Sequence, residues 1–230
     1  MPPQDRRLIV QANIPQVPEK QQRPGPEGAP FDKLYTDRYT GAVDNRSTIL
    51  ARALELWSER GYDAVGVQEI VDSAGITKPT LYHYFGSKRG LLDALIEERS
   101  SGLLEAVVVA ADYRGDLPLT LETVARTYFD FALTNAPFYR VQLALWFAPH
   151  QSDGYGAILV RNLGQHEILE RLFAAAANDH GNMRGRHKAY AATFLGMVNT
   201  YIGLHLNGYA ALDAQLVHHA VHQYMHGIYS

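Results

Sequence analysis

Gly75-Ile76-Thr77-Lys78-Pro79-Thr80-Leu81-Tyr82-His83-Tyr84-Phe85-Gly86-Ser87-Lys88-Arg89-Gly90-Leu91-Leu92 is the stretch that decides the fold. Gly75 permits a left-handed backbone turn at no steric cost. Thr77 can cap a helix, and Pro79 suits a first turn, where a missing N–H costs nothing. Ile76, Leu81 and Phe85 are spaced to anchor one side of a short helix. Lys78, Pro79, Thr80, Tyr82 and His83 are left on the other. Gly86-Ser87 then makes a turn with a new cap, and a second helix opens at Lys88. A short helix behind a glycine turn, polar on its outer face, is shaped to enter a groove, and the major groove of DNA fits it.

The flanking residues supply the packing partners. Ile49, Leu50, Ala53, Leu54 and Trp57 form an apolar stripe at helical spacing, so a first helix is expected from about Asn45, capped by Asp44 or Asn45, to Arg60. Gly61 ends it. Val67–Ala74 reads as a second helix, with Val67, Ile70 and Val71 inward and Gln68, Glu69 and Asp72 outward. The helix opening at Lys88 continues to about Val109, burying Leu91, Leu92, Leu95 and Ile96. After a break at Asp112 to Pro118, five more helices are expected near 119–135, 137–147, 155–178, 186–206 and 212–228. No strand-like alternation appears. The expected fold is all-α: an N-terminal three-helix helix-turn-helix unit (44–92) followed by a larger helical unit (93–230), with the fourth helix as the bridge.

Residues 1–43 differ. Pro2, Pro3, Pro15, Pro18, Pro24, Pro26 and Pro30 interrupt helices. Only Leu8-Ile9-Val10 is locally apolar, and an extended or disordered arm is expected. The bland reading is a solvated tail; the sharper one is an arm reaching DNA phosphate or the minor groove.

Composition narrows the class. A chain of 230 residues, 47% hydrophobic, can bury a sizeable core. The absence of cysteine excludes a disulfide framework, a thiolate zinc site and a Cys nucleophile. No apolar run is long enough to span a bilayer and no signal-peptide core is visible, so a cytoplasmic protein without a membrane partner is expected. The net charge of −3 argues against a non-specific nucleic-acid binder, but a site-specific one needs only a few well-placed cations. His166-Glu167-Ile168-Leu169-Glu170 falls short of the His-Glu-x-x-His zinc motif by its second His. There is no Gly-x-Ser-x-Gly elbow and no phosphate loop, so no enzyme and no cofactor are expected. His218, His222 and His226 recur at four-residue spacing. Without cysteine or a carboxylate at matching spacing they read as solvated or interface histidines, not as metal ligands.

Arg46 to Glu98 resembles the DNA-binding domain of tetracycline-repressor (TetR) family transcription regulators. The likeness rests on Leu81-Tyr82-x-x-Phe85-x-x-Lys88 behind Gly75, with Ile49, Ala53, Trp57, Gly61, Tyr62, Val67, Ile70, Ala74, Thr77 and Tyr84 around it. The chain departs at Gly66, where the family usually has Ser or Thr whose hydroxyl bonds a DNA phosphate; here only a backbone N–H is available. Trp57 stands where Phe is common.

The resemblance implies a regulator that binds a double-stranded, near-palindromic DNA operator, most simply a repressor released by a small molecule. A ligand-independent regulator or a protein-interaction module on the same fold is the alternative. The DNA-facing candidates are Gln68, Thr77, Lys78, Pro79, Thr80, Tyr82, His83 and Lys88. Lys78 suits guanine O6/N7, Thr80 and Pro79 a thymine methyl, and Tyr82, Thr77 and Lys88 phosphates. Phe85 and most of Tyr84 read as core. The resemblance also implies a pocket and a homodimer face in the C-terminal helices. Tyr128, Trp146, His166 and Phe173 are the pocket candidates, with Gln142 and Asn199 as further polar groups, for an apolar or aromatic ligand. The last two helices, with Ala191, Ala192, Leu195, Gly196, Ala220, Val221 and Tyr224, suit a four-helix dimer interface.

Overall fold

The computed structural model describes the backbone of residues 31–227 and the side chains of residues 45–227. Among the described residues the chain is helical, without strands: α1 (Phe31–Arg60), α2 (Val67–Ala74), α3 (Lys78–Phe85), α4 (Lys88–Ala110), α5 (Leu117–Thr134), α6 (Ala136–Trp146), α7 (Asp153–Asp179), α8 (His187–Leu206) and α9 (Ala214–His226). A 3-10 turn, Gly181–Met183, precedes α8. Among the described residues, those from Thr40 onward form one compact unit.

The helix ends follow local chemistry. Ser87 Oγ accepts the Gly90 N–H at 2.9 Å, Asp116 Oδ1 the Leu119 N–H at 3.0 Å, Ser152 Oγ the Tyr155 N–H at 3.1 Å and Asp213 Oδ1 the Leu216 N–H at 2.8 Å. Each bond satisfies an N–H that has no partner inside its helix. Gly75 (φ 66°) ends α2 in the left-handed region, which tilts α3 away from α2. Gly90 is required for another reason: a Cβ there would overlap the Phe85 carbonyl oxygen, so the close entry of α4 behind α3 admits no side chain.

α1 begins earlier than its apolar stripe indicates. The expected start near Asn45 and the cap at Asp44 or Asn45 are not found; the backbone is helical from Phe31. After Pro30 no proline occurs before Pro79, and Gly41 is the sole glycine of the next thirty residues, so nothing breaks the helix. Residues 31–43 of the expected arm are therefore helical, and residues 1–30 lie outside the described residues.

Two apolar cores form. One contains Ile49, Leu50, Ala53, Trp57, Ile70, Val71, Leu81, Leu91, Leu92 and Leu95 from α1–α4. It is completed by Phe138, Val141 and Leu145 of α6 and Ile158 of α7. The other is built by α4, α5 and α7–α9 around Tyr128, Phe129, Phe173, Phe194 and Val198, with Tyr139 of α6. α7 packs on α4, α6 and α8, while α5 packs on α4 and α9. Among the described residues no helix is long and apolar enough to cross a membrane.

Candidate nucleic-acid interface and ligand groove

α3 is held from behind by Leu81, fully buried, with Ile76 and Phe85 partly buried against the same core. Its other side is open. Thr77, Lys78, Pro79, Tyr82 and His83 are exposed and Thr80 is half-buried. Tyr82 keeps 45% of its surface exposed, unusual for a tyrosine one residue from a fully buried leucine. The segment 77–85 carries no acid, so its outer surface bears only neutral and cationic groups.

Three details differ from expectation. The Thr77 hydroxyl does not cap α3; it pairs with the Thr80 hydroxyl at 3.0 Å, which holds two small polar groups side by side. The Gly66 N–H is not free, because Glu69 Oε1 accepts it at 3.1 Å. With no side chain at Gly66, this is only half of a capping box. Glu69 also pairs with Arg60. The Gly66 N–H first, and Arg60 second, hold its carboxyl below the ordinary range. Lys88, third, turns its ammonium inward. It donates to the Tyr62 carbonyl oxygen at 2.6 Å and sits 4.2 Å from the centre of the Tyr62 ring. Burial lowers the Lys88 pKa, opposed by Asp63, Asp153 and Glu69, and pushes the Tyr62 phenol up to about 12. Gln68 is exposed and donates to Asp72 Oδ1 at 2.7 Å along α2.

Sequence reasoning missed two cations. Arg46 of α1 lies 5.8 Å from the centre of the Phe85 ring and pairs with Glu98 at 2.7 Å, beside the end of α3. Arg89 donates to Asp153 O at 2.8 Å and to Asp93 Oδ1 at 2.9 Å, tying the start of α4 to the start of α7. Arg46 has no signal at short sequence range, since Glu98 lies 52 residues away; Arg89 has one in Asp93 four residues on, but its tie to Asp153 spans 64 residues.

The four pocket candidates do not converge. Trp146 and His166, their rings 6.3 Å apart, share a groove of about 490 Å³ between α6, α7 and α8 with Leu143, Leu195, Asn199 and Gly203. Gln142, Asn162 and Gln165 line its inner recess. Phe173 lines a separate hollow of about 280 Å³ with Leu117, Met183, Tyr190 and Tyr224. Tyr128 is fully buried in the core, and burial alone pushes its phenol up. At α9, His218 Nδ1 meets Glu122 Oε1 of α5 at 2.8 Å, and the His222 and His226 rings lie 4.6 Å apart. Among the described residues no three His, Asp or Glu side chains are arranged to hold a metal.

Comparison with known proteins bears on both halves. Residues 49–95 match the family described as bacterial regulatory proteins, tetR family. The HTH-type transcriptional activator FasR of Mycolicibacterium smegmatis is 34% identical over 98 residues, 43% of this chain and 45% of FasR. The HTH-type transcriptional repressor KstR2 of Mycobacterium tuberculosis is 41% identical over 61 residues, 26% of this chain and 30% of that protein. Each match thus spans less than half of the relative's length. Among solved structures, the transcriptional regulator FadR from Bacillus subtilis in complex with stearoyl-CoA superposes with a TM-score of 0.65 at 19% identity, covering 79% of this chain and 98% of that one. At that identity the likeness speaks for the fold, and it extends through the C-terminal helices.

Proposed function

We propose that this chain, whose residues 49–95 match the tetR family of bacterial regulatory proteins, is a ligand-responsive regulator of that family that binds a near-palindromic operator as a homodimer. The observation that carries the DNA reading is the open, acid-free outer face of α3, backed by a fully buried Leu81. Lys78 reads a guanine edge. Pro79 and the paired Thr77–Thr80 hydroxyls meet a thymine methyl or a phosphate, and Tyr82, His83 and Gln68 set the register on the backbone. One such head makes few contacts. Two heads related by a two-fold axis, about 34–36 Å apart, give a specific site. The dimer face is α8 and α9, where small residues such as Ala192 and Gly196 are exposed. Such a protein works on DNA in the cytoplasm.

Release follows from linkage: a ligand that prefers the conformation with misplaced heads shifts the population away from the DNA-bound one. α4 is one lever. The buried α6 side chains Phe138, Val141 and Leu145 and the Arg89–Asp153 bond supply a second, because they join the groove's own helices to the head. The stearoyl-CoA of the Bacillus subtilis protein is not carried over to this chain. Among the described residues, no Lys or Arg lines the Trp146 groove to receive the phosphates of a CoA.

The test is a gel-shift titration on a selected operator. Lys78→Ala is expected to weaken specific binding by about 5- to 150-fold and Tyr82→Ala by less. Unchanged affinity in both variants would remove α3 as the reader.

A further inference from the structure

We propose that His218 and His222 of α9, with Glu122 of α5 behind them, form a surface site for a divalent transition ion of the Zn²⁺ class. The site is separate from the DNA face and does not depend on the function proposed above.

The α9 sequence by itself offers its histidines no carboxylate. The fold supplies one from 96 residues away: Glu122 Oε1 lies 2.8 Å from His218 Nδ1. A carboxylate only accepts, so Nδ1 carries the proton and Nε2 is left with its lone pair. A metal-ligating imidazole is ordinarily oriented in this way, by a carboxylate on its other nitrogen. The Glu122 side chain is 24% exposed against 63% for His218, so the carboxylate sits sheltered while the ring reaches solvent.

His222 supplies the second nitrogen. It stands one turn beyond His218 on the same side of the helix, and two histidines at this spacing can share a metal. The ring centres of His218 and His222 are 6.3 Å apart, and those of His222 and His226 are 4.6 Å apart. Two imidazoles sharing one ion at about 2.1 Å per bond have their centres roughly 5 Å apart, a spacing between the two observed. All three side chains are exposed, so a small rotation that draws His222 to His218 does not disturb the core. α9 carries no Lys or Arg, so no cation of its own helix repels the ion. Among the described residues no three donors converge. The protein therefore gives two nitrogens, and water completes the shell. Imidazoles without a thiolate suit Zn²⁺, Ni²⁺ and Cu²⁺, whereas Mg²⁺ and Ca²⁺ take oxygen ligands.

The site lies away from the small-residue face of α8. Tyr224 donates to the Tyr190 carbonyl oxygen of α8 at 2.8 Å and so marks the side of α9 turned to α8. His218 and His222 stand roughly 120° and 160° around the helix from Tyr224. His218 meets α5 instead, and an ion held there ties α9 to α5 through Glu122.

The full chain, without a polyhistidine tag, can be titrated calorimetrically with Zn²⁺ and, for contrast, with Mg²⁺. Saturable binding of one Zn²⁺ per chain is expected, and none of Mg²⁺. His218→Gln and His222→Gln are each expected to weaken Zn²⁺ at least tenfold. Glu122→Ala is expected to weaken it about tenfold, the loss of the group that orients a ligating imidazole. His150→Gln, on the turn between α6 and α7, is the control and is expected to bind as the wild type does. Thermal melts check that each variant folds and give a second readout. Zn²⁺ should raise the melting temperature of the wild type and not of His222→Gln, because an ion held only by the folded chain shifts folding by mass action. No saturable binding of Zn²⁺, full affinity in His218→Gln, His222→Gln or Glu122→Ala, or an equal loss in His150→Gln would overturn the proposal. Uptake of Zn²⁺ only as chains associate would place the ion between two copies and would overturn it as well.

Discussion

The reading head and the C-terminal helices are built from the same element, a packed amphipathic helix, yet they carry their functional groups differently. In the head, six candidate contacts fall within seven consecutive residues, 77–83, on one short helix and its N-cap, and none of them is buried. In the C-terminal half, the groove draws Gln142 and Trp146 from α6, Asn162, Gln165 and His166 from α7, and Leu195 and Asn199 from α8. A surface that reads a polymer can be local. A pocket that surrounds a small molecule must be assembled from elements distant in sequence.

The contrast has a limit that experiments can probe. The head's core is not wholly local, because α6 and α7 complete it. Leu145→Ala tests this with the largest expected effect. The residue is buried on α6, more than fifty residues beyond α3, and its truncation is expected to cost about 2–5 kcal/mol of stability. Operator affinity is expected to fall with it. A destabilised variant that still binds DNA at full strength would show the head to be independent of the helices behind it.

Lys88→Ala comes next. The ammonium bonds the Tyr62 carbonyl oxygen at 2.6 Å, and the Val65 N–H reaches the same oxygen at 3.4 Å, so its loss is expected to lower stability by about 1 kcal/mol, the loss of one hydrogen bond rather than of the acceptor's only partner. The slope of log K against log salt is expected to stay unchanged. A slope reduced by about 1 would mean that a phosphate draws Lys88 away from Tyr62 and that the residue belongs to the interface.

Glu69→Gln has the smallest expected effect. Its carboxylate is exposed and its pKa is lowered in the fold, so its stabilisation is present above the unfolded value of 4.5 and is lost as pH falls through the lower folded value. Thermal melts of the wild type and of Glu69→Gln should differ slightly at neutral pH and converge in acid. A gap that persists below the folded pKa would assign the effect to something other than charge.

What was legible in the sequence follows the same division. α2, α3 and the start of α4 were readable because caps, a glycine turn and apolar spacing act within a few residues. The later helices were readable for the same reason; α8, for instance, ends at Leu206 as its periodicity indicates. The start of α1 was not, since an apolar stripe marks the buried part of a helix and not its full length. Lys88 looked like a phosphate ligand because its carbonyl partner lies 26 residues away. Gln142, Asn162 and Gln165 have the composition of surface residues, and only the packing of α6 on α7 buries them. Of the four pocket aromatics and histidines, Trp146 and His166 meet in one groove. Phe173 and Tyr128 do not join them, because aromatic composition marks a core as readily as a ligand site.

Selection of bound DNA from a random pool, run with the wild type and with Lys78→Ala, tests the central claim most directly. The wild type should enrich two inverted half-sites centred about 10–10.5 bp or a multiple apart, with a guanine preference that Lys78→Ala relaxes at one position in each half. Enrichment of nothing, or of the same sequence with the same preference in both proteins, would contradict α3 as the element that reads DNA.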